Sequence, residues 1–337
     1  PLFPCLVGTI VGFAFSILLL PDSFYENDGL VFSALAMAVG LSIGPVLAFF
    51  KNPLSIIHPT SVLLIGLVYW LLLDLIQDLY FPQVSSSAPI TGAFFTIFLF
   101  AIGVISSGLS RQFKLPNIVI GAANRTISSK VLFRLGLVAF TLSFLRFAIP
   151  SGFNLFEMYD ALSMNRWAAP WSRGTFGGFD AILDHMVYFG YILPSLTVLL
   201  YRSEKKVTFR LVLIAVFCLI VSVLIAQGGG RRIIGALLAS AGVTWIITSR
   251  RRVTSMLVSI AIGVPALIMY LQYILLTRIS GIGGYQGTTV FDSISQFGIR
   301  VDDNFNRLAQ LIEIFPSHKD FVGFDWLIWI FARPVPR

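Results

Sequence analysis

The stretch Gly228-Gly229-Gly230-Arg231-Arg232 joins two apolar runs, 211–226 and 233–248, each about as long as a bilayer-spanning helix. Three glycines let the backbone turn with positive φ and leave its amide groups uncovered. A helix that begins at the arginines brings its partial positive end and two guanidinium groups to one place. That combination suits an anion, a phosphate most of all. The competing reading is a basic loop that happens to contain glycine, and the distribution of the other arginines bears on the choice.

Acid–base groups are few. The histidines are His58, His185 and His318. His185 follows Asp184 about one turn inside the outer end of its apolar run, and Asp180 stands a turn earlier on the same helix face. An acid there is a candidate general base, with helix capping and solvation as its plainer role. His318, in Phe315-Pro316-Ser317-His318-Lys319-Asp320, is the other external candidate. Residue type alone does not rank Asp184, His185 and His318. His58 reads as structural, at an inner membrane edge. Asp74 lies within an apolar span and needs a partner, an arginine or a hydroxyl. The sequence carries no His- or Asp-rich metal constellation and no G-x-S-x-G nucleophile elbow. Gly281-Ile282-Gly283-Gly284 lacks the Lys and Ser/Thr of a nucleotide P-loop and reads as a hinge or a second loop near a ligand. Cys5 and Cys218 lie far apart inside apolar runs, as buried free thiols do.

The elements that must position these groups are membrane helices. The 337 residues are 56% hydrophobic and 12% charged, with mean hydropathy +0.85. That excludes a soluble domain and predicts an all-α polytopic membrane protein. The runs are continuously apolar rather than alternating, which excludes a β-barrel. Nine spans are predicted, at about 4–20, 30–50, 59–79, 89–109, 131–149, 180–201, 208–226, 232–248 and 253–275. A tenth apolar piece, 321–332, is too short to cross. No internal repeat is visible, against the transporter designs built from duplicated halves. A single integral membrane domain, 1–337, is expected, with external loops at 150–179 and 278–337. The chain starts at Pro1 and stops at Arg337 without a closing helix, so a fragment cut at both ends is expected, the last loop continuing beyond Arg337.

Lys and Arg in alternate loops set the orientation. One set carries Lys51; then Arg111, Lys114, Arg125 and Lys130; then Arg202, Lys205, Lys206 and Arg210; then Arg250, Arg251 and Arg252. In the other set, 21–29 has Asp22, Glu26 and Asp28 without a base, and 81–88 has no charge. The first set is therefore cytoplasmic, with the N-terminus inside. The net charge of +8 belongs to this topology rather than to a nucleic-acid partner. Later external segments break the pattern: Arg166 and Arg173, Arg231 and Arg232, and Arg278, Arg300 and Arg307, with Arg146 near the outer end of its span. An arginine at bilayer depth costs about 3 kcal/mol on insertion scales. A shared anionic ligand on the outer face explains the set; taken singly, each has lipid headgroups or nearby acids as a simpler explanation.

The outer segments are also patterned for a membrane surface. Leu155, Met158, Tyr159 and Leu162 recur at helical spacing before Trp167 and Trp171, which reads as an interfacial helix with a tryptophan anchor. Phe305, Leu308, Leu311, Ile312 and Phe315 form one apolar stripe, a pattern that more often packs on neighbouring helices than binds lipid. Asp302 or Asp303 is placed to cap that helix and Pro316 to close it.

Four C-terminal pieces follow in order: Asn304-Phe305-Asn306-Arg307-Leu308, Ile314-Phe315-Pro316, Phe321-Val322-Gly323-Phe324 and Ala332-Arg333-Pro334-Val335-Pro336-Arg337. Together they resemble the outer loop of the O-antigen (oligosaccharide repeat-unit) polymerases. Arg231-Arg232 before a span is similar to the arginine motif that opens a late helix there, with Ile233 where that family usually has glycine. The resemblance implies a membrane-embedded glycosyltransferase of the GT-C type, using undecaprenyl-diphosphate-linked glycans as donor and acceptor at the outer face of a bacterial cytoplasmic membrane. It implies no nucleotide sugar, no metal and no cofactor, and as partners membrane lipid, a chain-length regulator and a flippase. On this reading Arg231, Arg232 and Arg278 bind the diphosphate leaving group, Arg232 also acting in catalysis, with Arg166, Arg173 and Arg307 in the second rank. A ligase for the finished glycan would use the same diphosphate pocket. A carrier or flippase of an anionic lipid-linked sugar would need charges along a path through the bilayer, where Arg134 and Asp74 stand. A structural subunit of an assembly complex would leave polymer length indifferent to the outer arginines.

Overall fold

A computed structural model describes residues 2–21, 29–109, 127–165, 167–172, 179–227, 231–249, 251–277, 287, 289–315, 317–320 and 323. The protein is all-α. Among the described residues there are twelve helices, counting a helix that runs on through a 3-10 or π turn as one, and no strand. Seven are long and apolar enough to cross a membrane, and the apolar helices Leu2–Leu18 and Ile233–Thr248 are shorter. Each of the nine expected spans falls on one of these helices. Phe3, Leu18 and Phe50 are each at least 75% exposed on them, a surface suited to lipid rather than water. The contacts group into two compact units.

The first unit comprises Pro1–Leu115 and Asp292–Gly323. It holds α1 (Leu2–Leu18), α2 (Gly29–Lys51), α3 (Pro59–Ile76) and α4 (Ala88–Leu109). Small residues let α1 and α2 touch backbone to backbone, as membrane helices do when no hydrophobic drive separates them from lipid. A Cβ on Gly12 would lie 2.7 Å from the Gly40 Cα, and one on Gly40 would lie 2.5 Å from the Gly8 carbonyl oxygen. Gly40→Val is therefore expected to push α1 off α2. An engineered disulfide or crosslinker placed across this pair should lose most of its yield, and an unchanged yield would show that the contact is dispensable.

The C-terminal part of this unit is strapped onto α3. α3 contains a π turn, Val68–Leu72, and Asp74 follows it, 6% exposed. Asp74 was expected to meet an arginine or a hydroxyl. Its partners include two backbone amides: Oδ1 accepts from Val301 N–H at 3.0 Å and Oδ2 from Asp302 N–H at 3.4 Å. Gln77 completes the strap, donating to the Ile299 carbonyl at 3.0 Å and accepting from the Ile299 amide at 2.8 Å. Gly298, at φ +69°, supplies the left-handed turn that brings the chain there, at the end of α11 (Val290–Phe297).

α12 (Asn304–Ile314) then lies on the unit. Phe305 is fully buried with its ring centroid 5.0 Å from Phe94, and Asn304 and Asn306 bond the Trp70 carbonyl and the Gln83 amide. Asp303 occupies the N-cap position without a side-chain cap bond and pairs with Arg307 instead. Hydrogen bonds from the Ser85 hydroxyl and amide hold the Glu313 carboxyl below the ordinary carboxylate range. That contact is complete above the ordinary range and is lost as pH falls through the lowered value.

Asp74→Asn would set an amide N–H2 against a backbone donor, at a cost of about 1–3 kcal/mol. The Val301 amide should then exchange at least about tenfold faster. Unchanged exchange would remove Asp74 from the strap.

The second unit comprises Pro116–Phe291 and Phe324–Arg337. It holds α5 (Ser129–Ala148), α6 (Leu155–Ala161), α7 (179–204), α8 (Phe209–Gln227), α9 (Arg231–Thr248) and α10 (Arg252–Leu276). Both irregular turns precede a proline. α7 passes through the 3-10 turn Val187–Ile192 just before Pro194, and α10 through the π turn Ser259–Gly263 just before Pro265. Proline lacks the N–H that would continue the α pattern, and the preceding turn changes its bonding to suit. The core gathers Phe147, Leu193, Val221, Ile234 and Ile274, with Phe140 stacked on Phe217.

α6 forms over the expected interfacial segment, capped by Asn154, which accepts from the amides of Phe156 and Glu157. Leu155, Phe156 and Tyr159 face outward, whereas Met158 and Ala161 are buried. Of the two tryptophans expected as membrane anchors, Trp167 is exposed and Trp171 is not. Trp171 is 6% exposed and sits edge-on to Phe147, so it belongs to the core. Its indole N–H has a partner on α8, which makes burial affordable.

Candidate functional site

The chemistry of the second unit collects where α5 ends, α7 begins, α8 ends and α9 begins. Arg146, in the last turn of α5, is the centre. Its Nε lies 2.6 Å from Asp184 Oδ1 on α7, and its Nη2 donates to the Trp171 carbonyl at 2.6 Å. Its Nη1 is buried and has no hydrogen-bond partner. The two side chains differ in setting, Arg146 at 15% exposure and Asp184 at 57%. The arginine is thus held inside while its acid reaches water, and the pair fixes the direction of the carboxylate more than it stabilises the fold.

Trp171 carries the connection onward. Its Nε1–H donates to Gln227 Oε1 at 3.2 Å, and Gln227 donates to the Met164 carbonyl at 3.4 Å. Gln227 is the last residue of α8 and is 2% exposed. Gly228, Gly229 and Gly230 follow it in the chain, and α9 starts at Arg231. The expected helix start at the arginines is therefore found, and Arg231 and Arg232 occupy its first turn. Their side chains lie outside the described residues. The end of α10 is brought to the same place by its antiparallel packing on α9, Leu271 meeting Gly235. Its last described residue is the buried Thr277, next in sequence to Arg278.

The other expected residues divide into three groups. Arg166, Arg173 and Arg278 lie outside the described residues, as do Pro316 and the side chain of Asp180. His185, beside Asp184, is exposed, with its ring edge-on to Tyr188 at 5.6 Å. Arg307 and His318 belong to the first unit. Arg307 pairs with Asp303 at 3.1 Å and donates to Gln310 at 3.3 Å, and His318 Nδ1 lies 2.9 Å from the Ser317 hydroxyl. Both are exposed.

Sequence reasoning named Arg146 as an oddity and left it out of the site. The signal was present, because an arginine inside the run 131–149 is costly unless something uses it. Gln227 was missed altogether. A lone glutamine closing an apolar run before three glycines carries no pattern, and its role depends on Trp171, 56 residues away in sequence. No family model, curated protein or solved structure matches the chain.

Proposed function

We propose that the protein is a polymerase-type glycosyltransferase that joins polyprenyl-diphosphate-linked oligosaccharide units at the outer face of a bacterial cytoplasmic membrane. The observation that supports this most is the meeting of a half-buried, incompletely bonded Arg146 and its water-facing Asp184 with the end of α8 that leads through three glycines into the Arg231-Arg232 start of α9. An anion site and an acid–base group thus share one helix end.

In the proposed reaction the acceptor sugar hydroxyl attacks the anomeric carbon of the donor glycan. The bond from that carbon to the diphosphate oxygen breaks, its electron pair leaving with the polyprenyl diphosphate. The hydroxyl proton passes to Asp184, whose Oδ2 is left by the Arg146 contact at Oδ1. Arg146 is a positioning residue in this scheme. Negative charge grows on the departing diphosphate, so guanidinium groups and a helix N-terminus placed there stabilise the transition state more than the ground state. Arg231, Arg232 and Arg278 take that role.

The positive-inside rule puts this end outside and the N-terminus in the cytoplasm. The deciding experiment supplies purified protein in detergent with lipid-linked repeat units and no second compartment. Chains longer than one unit are expected; lipid-linked substrate left unconsumed would overturn the proposal.

A further inference from the structure

A second basic site lies at the opposite end of the second unit. The last turn of α7, the last turn of α9 and the first turns of α10 enclose a cavity of about 760 Å³. Arg202, Lys205 and Arg251 line it, together with the hydroxyls of Thr248, Ser249, Thr254 and Ser255. Among the described residues no carboxylate lines it. The nearby Glu204 is engaged by Arg210, at 4.0 Å, and by the Thr208 hydroxyl.

Arg202 is held as a preformed donor. Its guanidinium carbon lies 3.8 Å from the centroid of the Trp245 ring, which is itself stacked with Tyr201. This fixes the plane of the fork by cation–π contact. Its Nε and Nη2 are both buried and have no hydrogen-bond partner. Those two nitrogens form the side-on edge of the guanidinium and are closed to water, so Arg202 meets the cavity with Nη1, which is not among its buried nitrogens. Native structures seldom leave such donors unpaired when buried.

We infer that this cavity binds a phosphate-bearing anionic ligand, the headgroup of an anionic phospholipid, with Arg202 held on Trp245 as its central cation. Lys205 and Arg251 supply the remaining charge, and the Thr254 hydroxyl with one of the mutually bonded pair Ser249 and Ser255 donates to the outer oxygens, Thr248 being bonded to the Thr244 carbonyl. Three cations exceed what a single carboxylate needs, and a phosphodiester or phosphomonoester uses them better. The lipid source follows from position. The cavity opens where helices of membrane-spanning length end, beside Arg210 and Arg252, cations that draw anionic leaflet lipid. Free inorganic phosphate shares the chemistry, and the test separates the two.

Native mass spectrometry of the purified protein in neutral detergent supplies the readout, with phosphatidylglycerol and phosphatidylcholine of matched chains added in equal amounts. Wild type should retain phosphatidylglycerol at least about tenfold over phosphatidylcholine, and Arg202→Gln should abolish that preference. Arg251→Gln, at an exposed position, should weaken it without risk to folding. Lys206→Gln, outside the cavity, should leave it unchanged. Displacement of phosphatidylglycerol by millimolar inorganic phosphate would support the pocket and assign a soluble source; resistance to displacement would support the lipid. Equal retention of the two lipids by wild type would overturn the inference. So would an equal loss of preference in Lys206→Gln, which would point to diffuse surface charge.

Discussion

Arg232→Ala abolishes polymer formation while the protein still inserts and folds: this is the largest effect expected. Removing one donor from a preorganised anion-stabilising site costs about 10²–10³ in rate. The stability argument runs the other way and makes the test sharp. Arg232 lies in the first turn of α9, where the helix dipole presents its positive end. An arginine there opposes the dipole by about 0.3–1 kcal/mol. Without an anion to bind, Arg232→Ala should leave thermal stability unchanged or slightly raised. A sharp fall in activity without a fall in melting temperature is a ligand-binding signature that a structural role does not give. Arg232→Lys should rescue poorly, since an ammonium cannot reproduce a two-point contact with diphosphate oxygens. Full activity in Arg232→Ala would remove Arg232 from the mechanism.

Asp184→Asn is the second. The amide keeps the size of the side chain and cannot accept the hydroxyl proton. Loss of general-base catalysis amounts to about 10²–10⁴ in kcat, with KM nearly unchanged. Because Asp184 is 57% exposed, losing its pairing with Arg146 should cost only about 0–1 kcal/mol of stability. Arg146→Ala is a poorer test of chemistry. It strips the Trp171 carbonyl and Asp184 of their donor together, so folding and activity would fall together. Near wild-type kcat in Asp184→Asn would pass the base role to His185 or His318. His185→Gln and His318→Gln, measured separately, would then decide between them.

The membrane helices were legible because each is a long run with few charges, and length alone fixes what such a run can do. Internal changes of bonding within α7 and α10 were not read, although Pro194 and Pro265 mark both places. Hydropathy is blind to a missing N–H. Asp74 announced itself as a buried charge in need of a partner, yet its partners include the amides of Val301 and Asp302, more than two hundred residues on. No periodicity connects positions so far apart. The stretch Asn304–Leu308, read as part of an outer loop through its resemblance, contains packing residues: Phe305 and Asn306 are buried, and Arg307, its one charged residue, faces water. Trp171 misled for a related reason. A tryptophan beside a membrane surface and a tryptophan closing a core over a glutamine have the same sequence signature, and Gln227 decides between them. What the sequence did convey of the site was its charge: Gly228 to Arg232 as a loop entering a helix, and Asp184 with His185 at the mouth of α7.

Binding of the leaving group itself tests the central claim most directly. Purified protein should bind a polyprenyl diphosphate saturably and at least about tenfold more tightly than the matching polyprenol, and Arg232→Ala should erase that difference. Equal affinity for the diphosphate and the alcohol, or an undiminished preference in the variant, would contradict it.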